Sequence, residues 1–162
     1  MSDRLALLTR YYEACSAGDL EGLTATLHPD VVHYFLAPNV GSTPVAGCAH
    51  LAHYWRKVAQ MIRARWVIDH YLGGDDEAVI EWSMFWNVGG TGARVATRGA
   101  EWFRFVDDRI FEIRSYYQQT DGDSQLDAFD YVARGYSTHG GETSRVHDDV
   151  LSGSIYPLGE TA

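Results

Sequence analysis

The stretch 79–118 limits the possible folds more tightly than any other, because it reads as three consecutive strands joined by two tight turns. The strands span 79–86, 94–106 and 109–118 and are crowded with Trp, Phe, Tyr and β-branched residues, which suit a pleated, half-buried surface. Gly89-Gly90-Thr91-Gly92 and Asp107-Asp108 form the joins, and such links supply the positive φ angles that hairpin turns need. An antiparallel meander of this aromatic content, preceded by helical segments, predicts a curved sheet around an aromatic-lined hollow.

Upstream, Ser2 is placed to cap a helix in which Leu5, Leu8, Tyr11, Tyr12 and Cys15 recur at helical spacing. Gly18 ends it, and Asp19 caps a short second helix bearing Leu20, Leu23 and Leu27 that Pro29 closes. A strand is predicted over 31–36 and a loop over 37–46, where Pro38, Asn39, Gly41 and Pro44 gather. Gly47 opens a third helix, with Leu51, Tyr54, Trp55, Val58, Met61 and Ile62 on one face. A strand over 65–72 and the turn Gly73-Gly74-Asp75-Asp76 lead into the meander. Helices followed by a run of antiparallel strands give an α+β pattern in which the helices cover one face of the sheet.

After Gln119 the composition shifts. Ser124 is placed to cap a short helix reaching Arg134, and 135–162 is Gly-, Ser-, Thr- and His-bearing with little periodicity. This divides the chain into a main domain over 1–119 and a C-terminal extension over 120–162, which covers either the pocket or a neighbouring subunit.

With 162 residues the chain suffices for one domain with a good core. Its formal net charge of −9, with Lys57 the sole lysine, argues against a nucleic-acid surface, which needs clustered cations. Cys15 and Cys48 fall in helices without C-x-x-C spacing and read as small hydrophobes. Neither a signal-peptide pattern nor a membrane-spanning apolar run is present, so a cytoplasmic protein is expected.

Several local patterns bear a family likeness. Tyr11-Tyr12-Glu13-Ala14-Cys15-Ser16-Ala17-Gly18-Asp19-Leu20-Glu21-Gly22-Leu23, His28-Pro29-Asp30-Val31-Val32, Val45-Ala46-Gly47 and Trp102-Phe103-Arg104-Phe105 stand where the SnoaL-like and NTF2-like superfamily has similar runs. The sequence resembles that superfamily from about Leu5 to Gln118. The resemblance implies a cone-shaped α+β fold, three N-terminal helices packed on a strongly curved, mostly antiparallel sheet, and a homodimer. Ketosteroid isomerases, polyketide cyclases and scytalone dehydratase share this fold, which hosts enzymes, binders and association domains alike.

Carried over by position, the isomerase tyrosine of the first helix falls on Tyr11 and the long-strand acid on Glu101. The base position falls on or beside Phe35, which takes no proton, and this departure counts against steroid-type isomerisation. His33 shares strand parity with Phe35 and is expected to point inward, as an acid/base group or as a hydrogen-bonded core histidine. His70 shares parity with Trp66 and Ile68 and is the reserve candidate, its alternative being a satisfied core or surface histidine. Glu101 lies among tryptophans, where desolvation raises a carboxyl pKa. It is read as a proton donor, as a base, or as the partner of Arg94 or Arg98. Arg104, Arg114, Glu81 and Glu112 take the opposite face and form a charge lattice.

Trp55, Trp66, Trp82, Met84, Trp86, Phe35, Phe103 and Tyr117 are expected to line the cavity, although large aromatics are more often plain core. His50, His53, His139 and His147 show no metal-ligand spacing, and no metal or other cofactor is expected. The reading is a cofactor-independent enzyme moving protons on a small apolar or aromatic metabolite, with a non-catalytic binding domain and an association module as alternatives.

Overall fold

The computed structural model describes residues 4–36, 43–118 and 124–142. Ser2, Pro38, Asn39, Gly41 and His147 lie outside them. The helical spacing at the N-terminus becomes α1 (Arg4–Ala17), which buries Leu7, Leu8, Tyr11, Tyr12, Ala14 and Cys15. Gly18 ends it at φ +65°, a left-handed conformation that glycine adopts without a Cβ clash. The Asp19 carboxylate then accepts from the Glu21 N–H at 3.1 Å and caps α2 (Leu20–Thr26).

The first strand starts earlier than the sequence suggests. β1 (Leu27–Tyr34) follows α2 directly, so Pro29 lies inside it instead of closing the helix. Proline offers no N–H to the ladder, and the pairing of β1 is irregular between Leu27 and Val32. Within the predicted loop a short β2 (Val45–Ala46) pairs antiparallel with β1. α3 (Cys48–Ile62) begins after Gly47 and buries Leu51, Ala52, Trp55 and Ala59.

The remaining strands are β3 (Arg65–Gly73), β4 (Glu77–Asn87), β5 (Arg94–Val106) and β6 (Arg109–Tyr117). Asp107 and Asp108 both have positive φ, which suits the two-residue turn between β5 and β6. Together the strands make a six-stranded sheet in the order β2-β1-β6-β5-β4-β3, antiparallel except for β1 against β6. Its concave face packs Ile80, Trp82, Phe103, Ile113 and Val31 with the three helices into one core. This is an α+β cone.

The convex face carries the charge lattice. Arg104 lies 3.8 Å from Glu77 and 3.4 Å from Glu112, which is also 3.6 Å from Arg114. Glu81 departs from that lattice and instead accepts from the Tyr136 hydroxyl.

Residues 124–142 of the extension lie against this convex face. Ser124 forms the expected capping box, but only one turn of 3-10 helix, Gln125–Ala128, follows instead of a helix to Arg134. Leu126 and Val132 stay exposed, so a longer helix would have no apolar face to bury, and short unsupported helices are marginal. The segment is held by contacts with the sheet. The buried Asp69 carboxyl accepts from Ser137 N–H at 2.8 Å, Ser137 Oγ at 2.9 Å and Ser83 Oγ at 2.6 Å. Arg98 donates to Ser83 Oγ at 2.6 Å and to Ser137 O at 3.1 Å, while its guanidinium lies 4.5 Å over the Tyr131 ring.

Gly99 faces Trp82 across the β4–β5 ladder. A Cβ there would stand 2.6 Å from Trp82 Cζ2, 2.7 Å from the Tyr116 carbonyl oxygen and 2.8 Å from Tyr117 Cβ. Because one of these neighbours is backbone, relief requires the strands to shift. Gly99→Ala is therefore expected to cost about 1–3 kcal/mol, read as a lower urea midpoint at unchanged m-value.

Candidate active site

Alternation along β5 sends Gly99, Glu101, Phe103 and Phe105 to the concave face and Arg98, Trp102 and Arg104 to the convex one. Glu101 is only 4% exposed, with Ile80 opposite it on β4 and Ser115 opposite it on β6. Each carboxyl oxygen has its own partner. Tyr12 Oη of α1 donates to Oε2 through a short hydrogen bond, and Ser115 Oγ lies 2.5 Å from Oε1. His33 Nε2 of β1 lies 2.6 Å from the same Ser115 oxygen and 3.6 Å from Oε1. The four side chains form one continuous line of protic groups across α1, β5, β6 and β1.

Burial sets their charges. Removal from water pushes the Glu101 carboxyl from its ordinary 4.5 up to about 8, against the opposing pull of the Ser115 hydroxyl. The same removal lowers His33 from 6.5 to about 3. Although the pair lies within ion-pair distance, both groups are therefore neutral around pH 7. Glu101 is then a carboxylic acid able to donate and, once ionised, a strong base. Nδ1 of the fully buried His33 has no hydrogen-bond partner among the described residues, and the imidazole stacks on Phe35 at 3.9 Å.

The sequence candidates fare differently. Glu101 and His33 meet at one place through Ser115. Tyr11 lies near Glu101 without bonding it: its hydroxyl accepts from Trp55 Nε1 at 2.8 Å, and burial pushes its pKa well up. The tyrosine on Glu101 is its neighbour Tyr12, since successive helix residues point about 100° apart. His70 does not line the concave side. A bulge between Ile68 and His70 puts Ile68 opposite Trp82 but His70 opposite Glu81, so parity flips at Asp69. His70 is instead on the convex face, 4.0 Å from Glu81 and beside the Tyr136 ring.

The arginine-partner alternative for Glu101 is not seen. Arg94 binds Glu142 at 2.8 and 2.9 Å, and Arg98 holds Ser83 and Ser137. Trp55, Trp66, Trp82 and Phe103 are buried around the site, with Trp55 against Trp66 at 5.2 Å. The Trp82 indole N–H has no partner. Met84, Trp86, Phe35 and Tyr117 pack at the margin, half-buried. Trp86 bonds Thr97 at 3.0 Å, and the Tyr117 hydroxyl donates to Leu36 O at 3.0 Å. A cleft of about 450 Å³ lies between the sheet and the extension, bordered by Glu81, Trp82, Arg98, Tyr117, Tyr131 and Tyr136. Among the described residues no group of three or more His, Cys, Asp or Glu side chains is placed to hold a metal ion.

Tyr12 and Ser115 were not singled out from the sequence. Tyr12 was legible as part of the Tyr11-Tyr12 pair; Ser115 needed the β5–β6 register, which shifts between Arg104 and Phe105.

These charges set how stability varies with pH. Folded Glu101 keeps its proton up to about pH 8, while an ordinary carboxyl releases it near 4.5, so stability falls as pH rises through that interval. His33 acts the other way, losing the folded state stability as pH drops from 6.5 through about 3. The two slopes oppose each other between 4.5 and 6.5, where stability is expected to be greatest. Glu101→Gln is expected to abolish the alkaline decline and leave the acidic one, as urea midpoints measured across this range will show.

No curated protein matches the chain. Solved structures do. A protein of unknown function with a cystatin-like fold from Methylobium petroleophilum PM1 is 28% identical, covering 97% of this chain and 94% of that chain with a TM-score of 0.62. An NTF2-like protein of unknown function from Burkholderia pseudomallei K96243 is 20% identical, covering 73% and 92% at 0.63. A candidate polyketide cyclase from Streptomyces antibioticus is 19% identical, covering 72% and 92% at 0.61. The last two likenesses show the fold alone. The first alignment is long enough to run into the C-terminal extension. No helix of the described residues is long and apolar enough to cross a membrane. The SnoaL-like domain model matches residues 8–113, from within α1 to within β6, and the chain belongs to that SnoaL-like family.

Proposed function

We propose that the chain is a cofactor-independent enzyme that moves protons on a small, apolar, ring-bearing metabolite, in an isomerisation, a dehydration or a ring closure. One observation carries the reading. Glu101, enclosed by aromatic rings with a tyrosine and a serine on its two oxygens, holds a proton at neutral pH and lies where a concave site of this fold would act. A carboxyl raised to about 8 is well matched to acid/base work near neutrality, because proton-transfer catalysts act best near their own pKa. His33 is the second acid/base group, and Tyr12 replaces Tyr11 as the hydroxyl donor. Trp55, Trp66, Trp82 and Phe103 form the apolar surround, with Phe35 and Tyr117 nearest solvent. The resemblance to a candidate polyketide cyclase agrees with such a substrate class.

A second reading, a non-catalytic binding domain using the same interior, draws on Phe35, which stands where ketosteroid isomerases have their base. The two readings separate by experiment. Tryptophan fluorescence against a panel of aromatic and terpenoid metabolites identifies a ligand, and turnover of that ligand is then followed. Glu101→Gln is expected to bind it but to turn it over about 10²–10⁴-fold more slowly. Unaltered turnover in that variant would remove Glu101 from the chemistry. The protein is expected to act as a homodimer, to be checked by sedimentation, with the exposed Tyr34, Trp102 and Tyr116 of the convex face as its contact surface. The negative charge supports a role away from nucleic acid.

A further inference from the structure

One serine hydroxyl and one imidazole nitrogen stand between the inner carboxyl oxygen and a nitrogen that has no partner among the described residues. Glu101 Oε1, Ser115 Oγ and His33 Nε2 succeed one another at 2.5 and 2.6 Å, and Nδ1 of the same imidazole ends the line. Both His33 and Ser115 are buried, so bulk water does not interrupt the line. A serine hydroxyl has one proton and two lone pairs, and it can therefore point either way along such a chain.

We propose that His33, Ser115 and Glu101 form a proton relay whose outer terminus is His33 Nδ1, so that the imidazole exchanges protons with the bound molecule while Glu101 stores them. The relay serves the acid/base chemistry proposed above and rests on that reading. In one resting arrangement Glu101 is ionised and accepts from Ser115, and Ser115 accepts from His33 Nε2–H. A proton arriving at Nδ1 then drives two further transfers. The Nε2 proton passes to Ser115 Oγ, and the former Ser115 proton passes to Glu101 Oε1. The new arrangement has Glu101–H donating to Ser115, Ser115 donating to Nε2, and the N–H now on Nδ1. One proton has entered, every intermediate bond has reversed, and no heavy atom has moved. Running backwards, the same chain delivers a proton from Nδ1.

The relay explains how so poor a base as buried His33 can take part. Alone it would hold a proton only below about pH 3, whereas Glu101 keeps one up to about pH 8, so the carboxyl is the sink. The groups facing Glu101 are Tyr11 and Tyr12 from α1, His33 from β1, and Ser115 and Tyr117 from β6. Trp55 of α3 closes against His33, and Cys15 stands behind Tyr11. No arginine or lysine is bonded to Glu101 among the described residues. Burial, more than any neighbouring charge, sets the titration of the line.

The test needs no substrate. In protein labelled with ¹⁵N-histidine, long-range ¹H–¹⁵N spectra report which imidazole nitrogen carries the proton, and His33→Asn assigns the His33 signals among the seven histidines. His33 is expected to change from the Nε2–H to the Nδ1–H tautomer as pH falls through the Glu101 titration, followed by the ¹³C shift of its carboxyl. The two midpoints should coincide. Ser115→Ala should hold His33 in one tautomer while Glu101 still titrates, and Ser115→Thr, which restores the hydroxyl, should restore the switch. A single His33 tautomer throughout the wild-type Glu101 titration overturns the relay, as does a switch that persists in Ser115→Ala. The wild-type series decides the matter even where a variant folds poorly. Failure here leaves the Glu101→Gln turnover result standing, so the relay and the wider acid/base reading fall separately.

Discussion

The burial of one carboxyl shapes the rest of this structure. Taking an ionised carboxylate out of water without a cation costs on the order of several kcal/mol. The fold meets that cost by keeping Glu101 protonated and by giving each of its oxygens a hydroxyl. Those hydroxyls come from opposite sides of the core, Tyr12 from α1 and Ser115 from β6, so Glu101 fixes where α1 lies against the sheet. Ser16 adds to the same docking: its hydroxyl donates to the Tyr12 carbonyl at 2.8 Å and accepts from the Trp66 N–H at 3.0 Å. A bidentate pair between Arg65 and Glu13 closes the outer end of that seam at 2.8 and 3.0 Å. The carboxyl at the centre of the hydrogen-bonded line is also the one that positions the helix over it.

The sheet buries a second carboxyl on its other face and satisfies it differently. Asp69 accepts from two serine hydroxyls and one backbone N–H, and Arg98 is a single serine away. That arrangement suits a clasp, because two of the three donors belong to Ser137 of the segment being held. Among the described residues Glu101 has only hydroxyl hydrogen-bond partners and no bonded arginine or lysine. One sheet thus has a hydroxyl-bound carboxyl on its concave face and a clasping one on its convex face, and Gly99, Arg98 and their neighbours on β5 serve both faces at once.

Much of this was legible in the sequence. The meander, the Asp107-Asp108 turn, the Gly18 stop and the Asp19 cap follow from local chemistry, and strand parity sent Glu101 and His33 inward as expected. What was not legible depends on single-residue irregularities. A bulge at Asp69 moved His70 to the convex face, and nothing in Trp66-Val67-Ile68-Asp69-His70 announces it. Another lies between the Arg104–Glu112 and Phe105–Ile110 pairs. Counting from the turn without it would set Glu101 opposite Arg114 and conceal Ser115 altogether. Choosing Tyr11 over Tyr12 was likewise a matter of helix rotation, which both residues satisfy because both are buried. Strand alternation reports which face a residue takes; the bulge decides which neighbour it meets.

The second bulge matters because of what it interposes. With His33 Nε2 at 3.6 Å from Glu101 Oε1, the two groups lie too far apart for a good direct hydrogen bond and near enough for one hydroxyl to bridge them. Had they touched, a proton shared between them would have favoured an imidazolium–carboxylate pair in a site with no other cation to support it. The opposite displacements of their pKa values place the proton on the carboxyl instead and leave the imidazole neutral. A neutral serine between them bridges the two groups without itself holding charge. The register shift that hid Ser115 from the sequence is therefore the feature that joins two buried groups of opposite pKa displacement into one hydrogen-bonded line.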